Sequence, residues 1–298
     1  MKRIFSVLIF LFVISLFFTC ASSPAPAVSE AGGSSVWKAS RNGNTILLGG
    51  SIHLLRDADF PLPGEFDLAF SQSEFLVLET DIERMEDEDM ANYLLRQTVY
   101  TDGRTLQTVL NPEVYQMLAA KSGEFGLPIE VISVFKPSMV MSMLSVLQIQ
   151  QMGFTQMGID YYYLNQANTG GKPLKYLESV ESQIDMIATI GEGYENDYVL
   201  YNLQDMDATE EYILAMVDDW KNGASVTGEH SIKEMIDEWP LLYSAMLTDR
   251  HDAWMPQIEE YLDSGSVHFI IVGLLHMHGP DGLLQRLRNM GCTVEKLR

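Results

Sequence analysis

The sequence predicts an α/β fold in which a central mixed sheet is flanked by helices and carries a large helical insertion. Several short apolar runs without polar alternation are typical of strands that are buried on both faces. Segments with helical periodicity separate these runs. A chain of 298 residues with 47% hydrophobic residues can bury such a core, and the sequence has no repeat of fixed period that would indicate a solenoid.

The N-terminus has the organisation of a secretory signal peptide over residues 1–19. Two basic residues precede an apolar run from Ile4 to Phe18, which is slightly short for a membrane-spanning helix. Cys20 follows this run, as the lipidated cysteine does in bacterial lipoprotein signals. We therefore predict a lipid anchor at Cys20, with the protein in the cell envelope on the extracytoplasmic side. Cleavage after Ala27 is the alternative, and it predicts a soluble secreted or periplasmic protein.

Composition separates a tether from the folded part of the chain. Residues 20–35 are rich in Ser, Ala, Pro and Gly and predict a flexible tether, which leaves 36–298 as the domain. The formal net charge of −22 repels polyphosphate and argues against nucleic acid as a partner. Because Cys292 is the only cysteine after Cys20, we expect no internal disulfide and a buried thiol.

The predicted elements follow one another from the end of the tether. A hairpin surrounds the turn signal Asn42-Gly43-Asn44, a helix covers 66–73 and a buried strand covers 75–78. The region 81–250 is mostly helical and is interrupted by one strand; the helical patterns lie at 138–151, 181–192, 208–221 and 241–262, and the strand at 174–177. The last elements are a buried strand over 267–272, a helix over 279–289 and a strand over 293–297.

Four apolar strands lead to a residue that can ligate a metal or transfer a proton. These residues are His53, Glu79, Glu178 and His276. Because ligands of α/β sheets lie outside the carboxyl ends of the strands, we expect the four side chains to meet at one edge. Two of the junctions have the sequence Gly-x-x-His, and we expect Gly50 and Gly273 to allow a sharp exit of the chain from the strand.

Two imidazoles with one or two carboxylates are the ligands of Zn, Mn or Co sites that keep a position open for water. Such a metal lowers the pKa of water from ~15.7 toward ~7. A further glutamate can act as a general base or orient a ligand. His278 could serve as a spare ligand. His230 and His251 could line the cleft, but we expect them to be exposed. The sequence lacks a Gly-x-Ser-x-Gly elbow, a phosphate-binding glycine loop and a His-Glu-x-x-His helix.

A set of short motifs in a characteristic order resembles the TraB/GumN family, which includes the pheromone-shutdown protein PrgY and the Tiki metalloproteases. The motifs are Leu48-Gly49-Gly50-Ser51-Ile52-His53, Leu78-Glu79, Gly158-Ile159-Asp160, the segment Leu177 to Gln183, Arg250-x-x-x-Trp254 and the segment Val272 to Leu284. The resemblance covers about residues 36–298. It implies a fold like that of the erythromycin-esterase and ChaN-like proteins.

The resemblance also implies a metal-dependent hydrolase in which His53, Glu79 and His276 are essential. We expect these three residues to bind a divalent metal, which would be Mn, Co or Zn. Glu178 and Arg250 match other recurrent polar positions of the family. We assign Glu178 as a base or a group that orients a ligand, and Arg250 as a group that stabilises an oxyanion or a substrate carboxylate.

The sequence is compatible with two functions. The first is an extracytoplasmic metal-dependent hydrolase, a peptidase acting on a peptide or protein substrate. The second is a non-catalytic protein of the cell envelope that binds or sequesters a peptide. The acidic surface and the methionine-rich stripe over 139–147 would favour a basic, partly apolar peptide, although core packing is the ordinary role of such a stripe.

Overall fold

The computed structural model describes residues 33–155, 158–206 and 209–298. The predicted signal peptide over 1–19, Cys20 and the tether up to residue 32 lie outside the described residues. Ser34 and Ser35, at the end of the predicted tether, are buried, and the hydroxyl of Ser35 donates a hydrogen bond to the carbonyl of Trp220. The described chain divides into two compact units, one formed by 82–154 and 180–211 and the other by 33–81, 155–179 and 212–298.

In the second unit, six strands of the described chain form one mixed sheet in the order β4-β3-β5-β2-β1-β6. The strands are β1 (Val36–Arg41), β2 (Asn44–Ser51), β3 (Phe75–Leu78), β4 (Leu174–Tyr176), β5 (His268–Gly273) and β6 (Thr293–Lys296). Strands β4, β3, β5 and β2 are parallel, and β1 is antiparallel to both β2 and β6. The α/β fold class with a mixed central sheet is therefore confirmed.

The centre of the sheet is apolar on both faces, as the sequence predicts. In β3, Leu76, Val77 and Leu78 are buried, and β5 is buried from His268 to Val272. The hairpin of β1 and β2 closes at Asn42 and Gly43, which have φ values of 54° and 87°. This pair of positive φ angles matches the right-handed twist of the two strands.

In the same unit, helices alternate with the strands along the chain. The longer ones are Gly64–Gln72, Ile159–Gly170, Thr209–Asn222 from Tyr212 onward, Val226–Glu238, Asp249–Asp263 and Leu283–Asn289. The shorter ones are Asp57–Asp59, Pro240–Tyr243 and Leu274–Met277. The helix predicted over 241–262 has a π-helical turn at Ser244–Thr248, which continues directly into the helix Asp249–Asp263.

Helices joined by turns and loops make up most of the described part of the other unit. Its helices are Ile82–Met85, Glu88–Thr98, Leu106–Val109, Pro112–Glu124, Ile129–Ile132, Pro137–Gln151, Val180–Thr189 and Glu195–Asp205. The methionine-rich stripe lies on Pro137–Gln151, where Met139 packs with Met85, Met90 and Leu94 in an apolar cluster. Core packing, the ordinary reading of this stripe, is confirmed.

The described chain contains one free cysteine and no helix suited to span a membrane. Cys292 is a free, buried thiol, as predicted. No described helix combines the length and the hydropathy needed to cross a bilayer.

Asp59 forms a buried ion-pair cluster in the loop after β2. Its carboxylate accepts hydrogen bonds from the backbone N–H and side chain of Arg56 and from Nζ of Lys221, all at 2.9 Å. Burial favours the protonated acid, but the hydrogen bonds from Arg56 and Lys221 outweigh it and hold the pKa of Asp59 below its usual value of 3.8. The loop is therefore stabilised by a carboxylate that must stay ionised.

We expect Asp59→Asn to lower the free energy of unfolding at pH 7 by about 1.5–3 kcal/mol. Because the pKa of Asp59 is lower in the folded than in the unfolded chain, its contribution is present above about pH 4 and is lost as the pH falls further. Urea unfolding at pH 7 and pH 3 measures both effects, with the exposed Asp102→Asn as the control. Equal pH dependence in Asp59→Asn and the wild type would contradict this prediction.

Candidate functional site

The structure brings together side chains from the carboxyl ends of three parallel strands. Glu79 follows β3 directly, and Glu178 follows β4 by two residues. His276 lies in the turn Leu274–Met277, which begins where β5 ends. All three contact the guanidinium of Arg250, which extends from the helix Asp249–Asp263. The predicted convergence at one sheet edge therefore occurs for these three side chains, with Arg250 at its centre.

Arg250 donates a hydrogen bond from each of its nitrogens to the cluster. Its Nη2 lies 2.5 Å from Oε2 of Glu79 and 2.6 Å from Oε1 of Glu178. Its Nε lies 3.2 Å from Oε2 of Glu178, and its Nη1 lies 2.9 Å from Nε2 of His276 and 3.4 Å from the carbonyl of Met246. All five N–H groups of the guanidinium thus have acceptors within the protein.

Trp254 covers this arrangement from one helical turn further along. Residues four apart lie on the same helix face, so Arg250 and Trp254 both point at Glu178. The Arg250 guanidinium lies 4.5 Å from the centre of the Trp254 ring, and Nε1 of Trp254 donates to Oε2 of Glu178 at 3.1 Å. The indole therefore both shields the ion pairs from water and orients Glu178.

The two carboxylates that share Arg250 have opposite pKa shifts. Burial opposes ionisation of Glu79, but the Arg250 charge outweighs it, helped by the Gly273 N–H at 2.6 Å, and the pKa of Glu79 is lowered. For Glu178, burial is the stronger effect, and its pKa is raised despite Arg250. Glu79 is therefore the permanent carboxylate, whereas Glu178 is the group better able to hold a proton.

His53, after β2, is held from one side only. Its Nδ1 lies 2.7 Å from Oδ2 of Asp160, which is buried in the first turn of the helix Ile159–Gly170. Its Nε2 is buried and has no hydrogen-bond partner among the described residues. Burial lowers the pKa of His53, but the Asp160 carboxylate outweighs this and raises the pKa to about 9. Because buried polar atoms are nearly always paired, the unpartnered Nε2 indicates a position where a ligand can bind.

Two glycines, Gly158 and Gly273, lie next to His53. A Cβ at Gly158 would lie 2.0 Å from the carbonyl oxygen of His53, so a side chain there would separate Asp160 from the imidazole. A Cβ at Gly273 would lie 3.4 Å from both Nε2 of His53 and Oε1 of Glu79, and 3.5 Å from Cδ2 of His276. The three predicted metal-binding residues therefore surround Gly273.

This geometry corrects the role expected for the Gly-x-x-His glycines. Gly273 has φ of −50°, which any residue can adopt, so it is not needed for a sharp exit of the chain. A Cβ at Gly50 would lie 2.7 Å from a methyl group of Leu274. Gly50 therefore serves close packing at the sheet edge, whereas a Cβ at Gly273 would make only ordinary van der Waals contacts.

Hydrogen bonds fix the protonation of two neutral histidines. Arg250 can only donate, so Nε2 of His276 accepts and its Nδ1 carries the proton. Nδ1 of His276 lies 2.9 Å from Nε2 of His251, which therefore accepts, and Nδ1 of His251 donates to the carbonyl of Asp281 at 2.9 Å. Burial lowers the pKa of His251 to about 4 and that of His276 well below 6.5, with the Arg250 charge acting in the same direction. Both imidazoles are thus neutral, with defined tautomers.

The donor set can be compared with the requirements of a divalent cation. His53 fits, because a carboxylate fixes one ring nitrogen while the other has no partner, as in metal-ligating histidines. Glu79 faces the same glycine. His276 does not fit in this conformation, because the lone pair of its Nε2 already accepts from Arg250. No group of three or more His, Cys, Asp or Glu in the described ranges is arranged to hold an ion.

The charges of the cluster also favour a divalent cation at His53 and Glu79. Asp160, Glu79 and Glu178 are three buried carboxylates, and Arg250 supplies one positive charge. Because the raised pKa of His53 leaves its imidazole protonated at pH 7, a divalent cation would have to displace that proton, and the cation and Arg250 would then balance the three carboxylates. The residues present therefore fit a divalent cation at His53 and Glu79.

Three residues of the cluster had no role assigned from the sequence. Asp160 and Trp254 occur in the motifs quoted above, but nothing in their spacing indicates contacts with His53 and Glu178. His251 was expected to be exposed, and this expectation is wrong, since the side chain is 1% exposed and bonds to His276. His278, considered as a spare ligand, packs edge-on against Trp37 with ring centres 5.5 Å apart.

Comparisons with known proteins agree with the resemblance found in the sequence. The chain is 25% identical over 244 residues to "Uncharacterized protein YbaP" of Escherichia coli (strain K12), covering 80% of this chain and 86% of the relative. The protein of the same name from Shigella flexneri matches to the same extent. No solved structure matches this chain. The sequence model of the TraB/PrgY/gumN family matches residues 35–296, and this chain belongs to that family.

Proposed function

We propose that this chain is a metal-dependent hydrolase, a peptidase that acts outside the cytoplasm. One observation carries the proposal. Glu79 and Glu178, with opposite pKa shifts, share the Arg250 guanidinium beside a buried His53 nitrogen that has no described partner. Titratable groups whose environments separate their pKa values are typical of acid–base pairs in hydrolytic sites.

The residues of the cluster then take distinct roles. A divalent cation (Mn, Co or Zn) held by His53 and Glu79 would supply Lewis acidity that lowers the pKa of water from ~15.7 toward ~7. Glu178 accepts a proton from the attacking water, which its raised pKa favours, and returns this proton to the leaving amine. Asp160 keeps the His53 ring oriented.

We propose for Arg250 a role different from the one expected from the sequence. A group that stabilises an oxyanion needs a free N–H, and all five N–H groups of Arg250 have acceptors in the cluster. We therefore assign Arg250 to holding Glu79 and Glu178 in place and keeping Glu79 ionised. A contact between Arg250 and a substrate would require one of these hydrogen bonds to break.

The location belongs to the same proposal and is supported by the sequence alone. The signal-like residues 1–19 and Cys20 favour a lipid-anchored protein of the cell envelope, whose substrates are exported peptides or proteins.

A peptide-cleavage assay tests the proposal. The purified protein is stripped with a chelator, reloaded with Mn, Co or Zn, and incubated with a mixture of synthetic peptides whose products are identified by mass spectrometry. We expect cleavage that depends on the metal and is lost in His53→Ala and in Glu79→Gln. His230→Ala, which removes a half-buried imidazole of the helix Val226–Glu238, is the matched control and should keep the activity.

The outcomes separate the parts of the proposal. Wild-type protein that neither binds nor is activated by any of the three metals would overturn the metal assignment. Peptides that stay intact but remain bound to metal-loaded protein would overturn the peptidase assignment and favour the sequestering protein.

A further inference from the structure

The unit that contains the sheet also has a cavity of about 640 Å³, lined by residues other than those of the cluster described above. Its walls come from the helix Val226–Glu238, from Trp37 of β1 and from the segment after His276. Sites for small organic ligands typically have volumes of about 300–1,000 Å³. The cavity is thus large enough to hold one.

The charge of the cavity is opposite to that of the chain. Lys233, Arg288 and Lys296 line it, and Glu229 is the acidic residue of the lining. The sequence as a whole has 41 acidic residues against 19 Lys and Arg. Glu229 accepts a hydrogen bond from the Ser225 hydroxyl at 2.7 Å. Asp237 pairs with Lys233, so Arg288 and Lys296 supply the excess positive charge of the lining, which favours an anion there.

The rest of the lining is apolar enough to hold a hydrophobic group. Ile232 and Ile236, four residues apart on one helix face, line the cavity together with Leu284, and Trp37 and Met277 contribute an aromatic ring and a thioether. Trp37 is already ordered, because Nζ of Lys296 lies 4.1 Å from the centre of its ring. An apolar body can therefore enter without first arranging this wall.

His278 supplies a polar atom that lacks a partner. Its Nε2 is buried and makes no hydrogen bond with any residue in the described part of the chain. The ring lines the cavity and packs edge-on against Trp37. Buried polar atoms are nearly always paired in folded proteins, so an unpaired one in a cavity wall indicates a missing ligand atom.

We propose that this cavity binds an amphiphilic organic anion, a carboxylate carried on an apolar body. Arg288 attracts the carboxylate, Ile232, Ile236 and Leu284 contact the body, and Nε2 of His278 bonds a polar atom of the ligand. This inference does not depend on the proposed hydrolase, because none of these residues belongs to the cluster around Arg250.

Calorimetric titration with two matched probes tests it. The probes are N-acetyl-L-phenylalanine and its amide, which share the same apolar body and differ in the carboxylate. We expect the acid to bind about tenfold more tightly than the amide, and this preference to shrink as salt is added. Arg288→Gln should remove the preference, and Lys121→Gln, a lysine of the other unit, should leave it unchanged.

His278→Phe tests the second contact. Phenylalanine keeps a ring against Trp37 and removes Nε2, so both probes should bind several-fold more weakly while the melting temperature stays close to that of the wild type. Equal affinity for acid and amide would overturn the anion preference. Absence of binding by both probes, or full binding of the acid by Arg288→Gln, would overturn the site.

Discussion

Replacing Arg250 with methionine is expected to lower the free energy of unfolding by about 3–5 kcal/mol. Arg250 and Glu79 are both more than nine-tenths buried, and Glu178 is nearly so. Removing the guanidinium leaves two carboxylates without a counter-charge in a region of low polarity, and Nε2 of His276 without a donor. Breaking a buried ion pair from one side is costly for this reason.

Urea unfolding of three variants measures this effect. Arg104→Met is the control, because the pair of Arg104 and Asp102 is about half exposed and such pairs contribute about 0–1 kcal/mol. Adding Glu178→Gln to Arg250→Met should recover part of the loss, since it removes one unpaired charge. Strictly additive losses in the double variant would contradict the idea that Arg250 acts by pairing this carboxylate.

The strands were predictable because their signal is local. The run Phe75 to Leu78 matches β3 residue for residue, and a buried strand is recognised by continuous apolar residues between polar ends. The pattern at 241–262 is also apolar at helical spacing, but it contains the π-helical turn Ser244–Thr248. The extra residue of a π-helical turn shifts the spacing of apolar residues by one position only. The apolar pattern of the sequence therefore does not distinguish this turn from a continuous α-helix.

From spacing alone, the sequence predicts only those residues of the site whose positions are set by the ends of strands. Glu79 and Glu178 follow parallel strands, so topology alone brings them to one edge. The partners that decide their chemistry come from a helix, and the position of a helix against a sheet edge has no local signal. The sequence therefore identifies Arg250 but not that its five N–H groups are all used within the protein.

The same reason explains why His251 was expected to be exposed. It neighbours Arg250 on one helix, and adjacent helical residues point about 100° apart. His251 would be exposed only if no other part of the protein packed against its side of the helix. In the structure, the turn that contains His276 and the carbonyl of Asp281 lie there.

We expect His251→Phe to lower the free energy of unfolding by about 2–4 kcal/mol, although the ring is of similar size. The loss arises because Nδ1–H of His276 and the carbonyl of Asp281 each lose a partner. His251→Gln, which offers a carbonyl oxygen to the same N–H, should recover part of it. His230→Phe, on the helix Val226–Glu238, is the control and should change the stability by less than about 0.5 kcal/mol.

A nitrogen-15 spectrum of the histidines distinguishes this role from simple packing. In the wild type, His276 should give a neutral imidazole with a slowly exchanging proton on Nδ1, because Arg250 occupies Nε2. In His251→Phe this proton should exchange rapidly, while Arg250→Met should instead mix the two tautomers of His276. A wild-type spectrum with the proton on Nε2 of His276 would show that Arg250 does not donate to this nitrogen. His276 could then bind a metal through Nδ1.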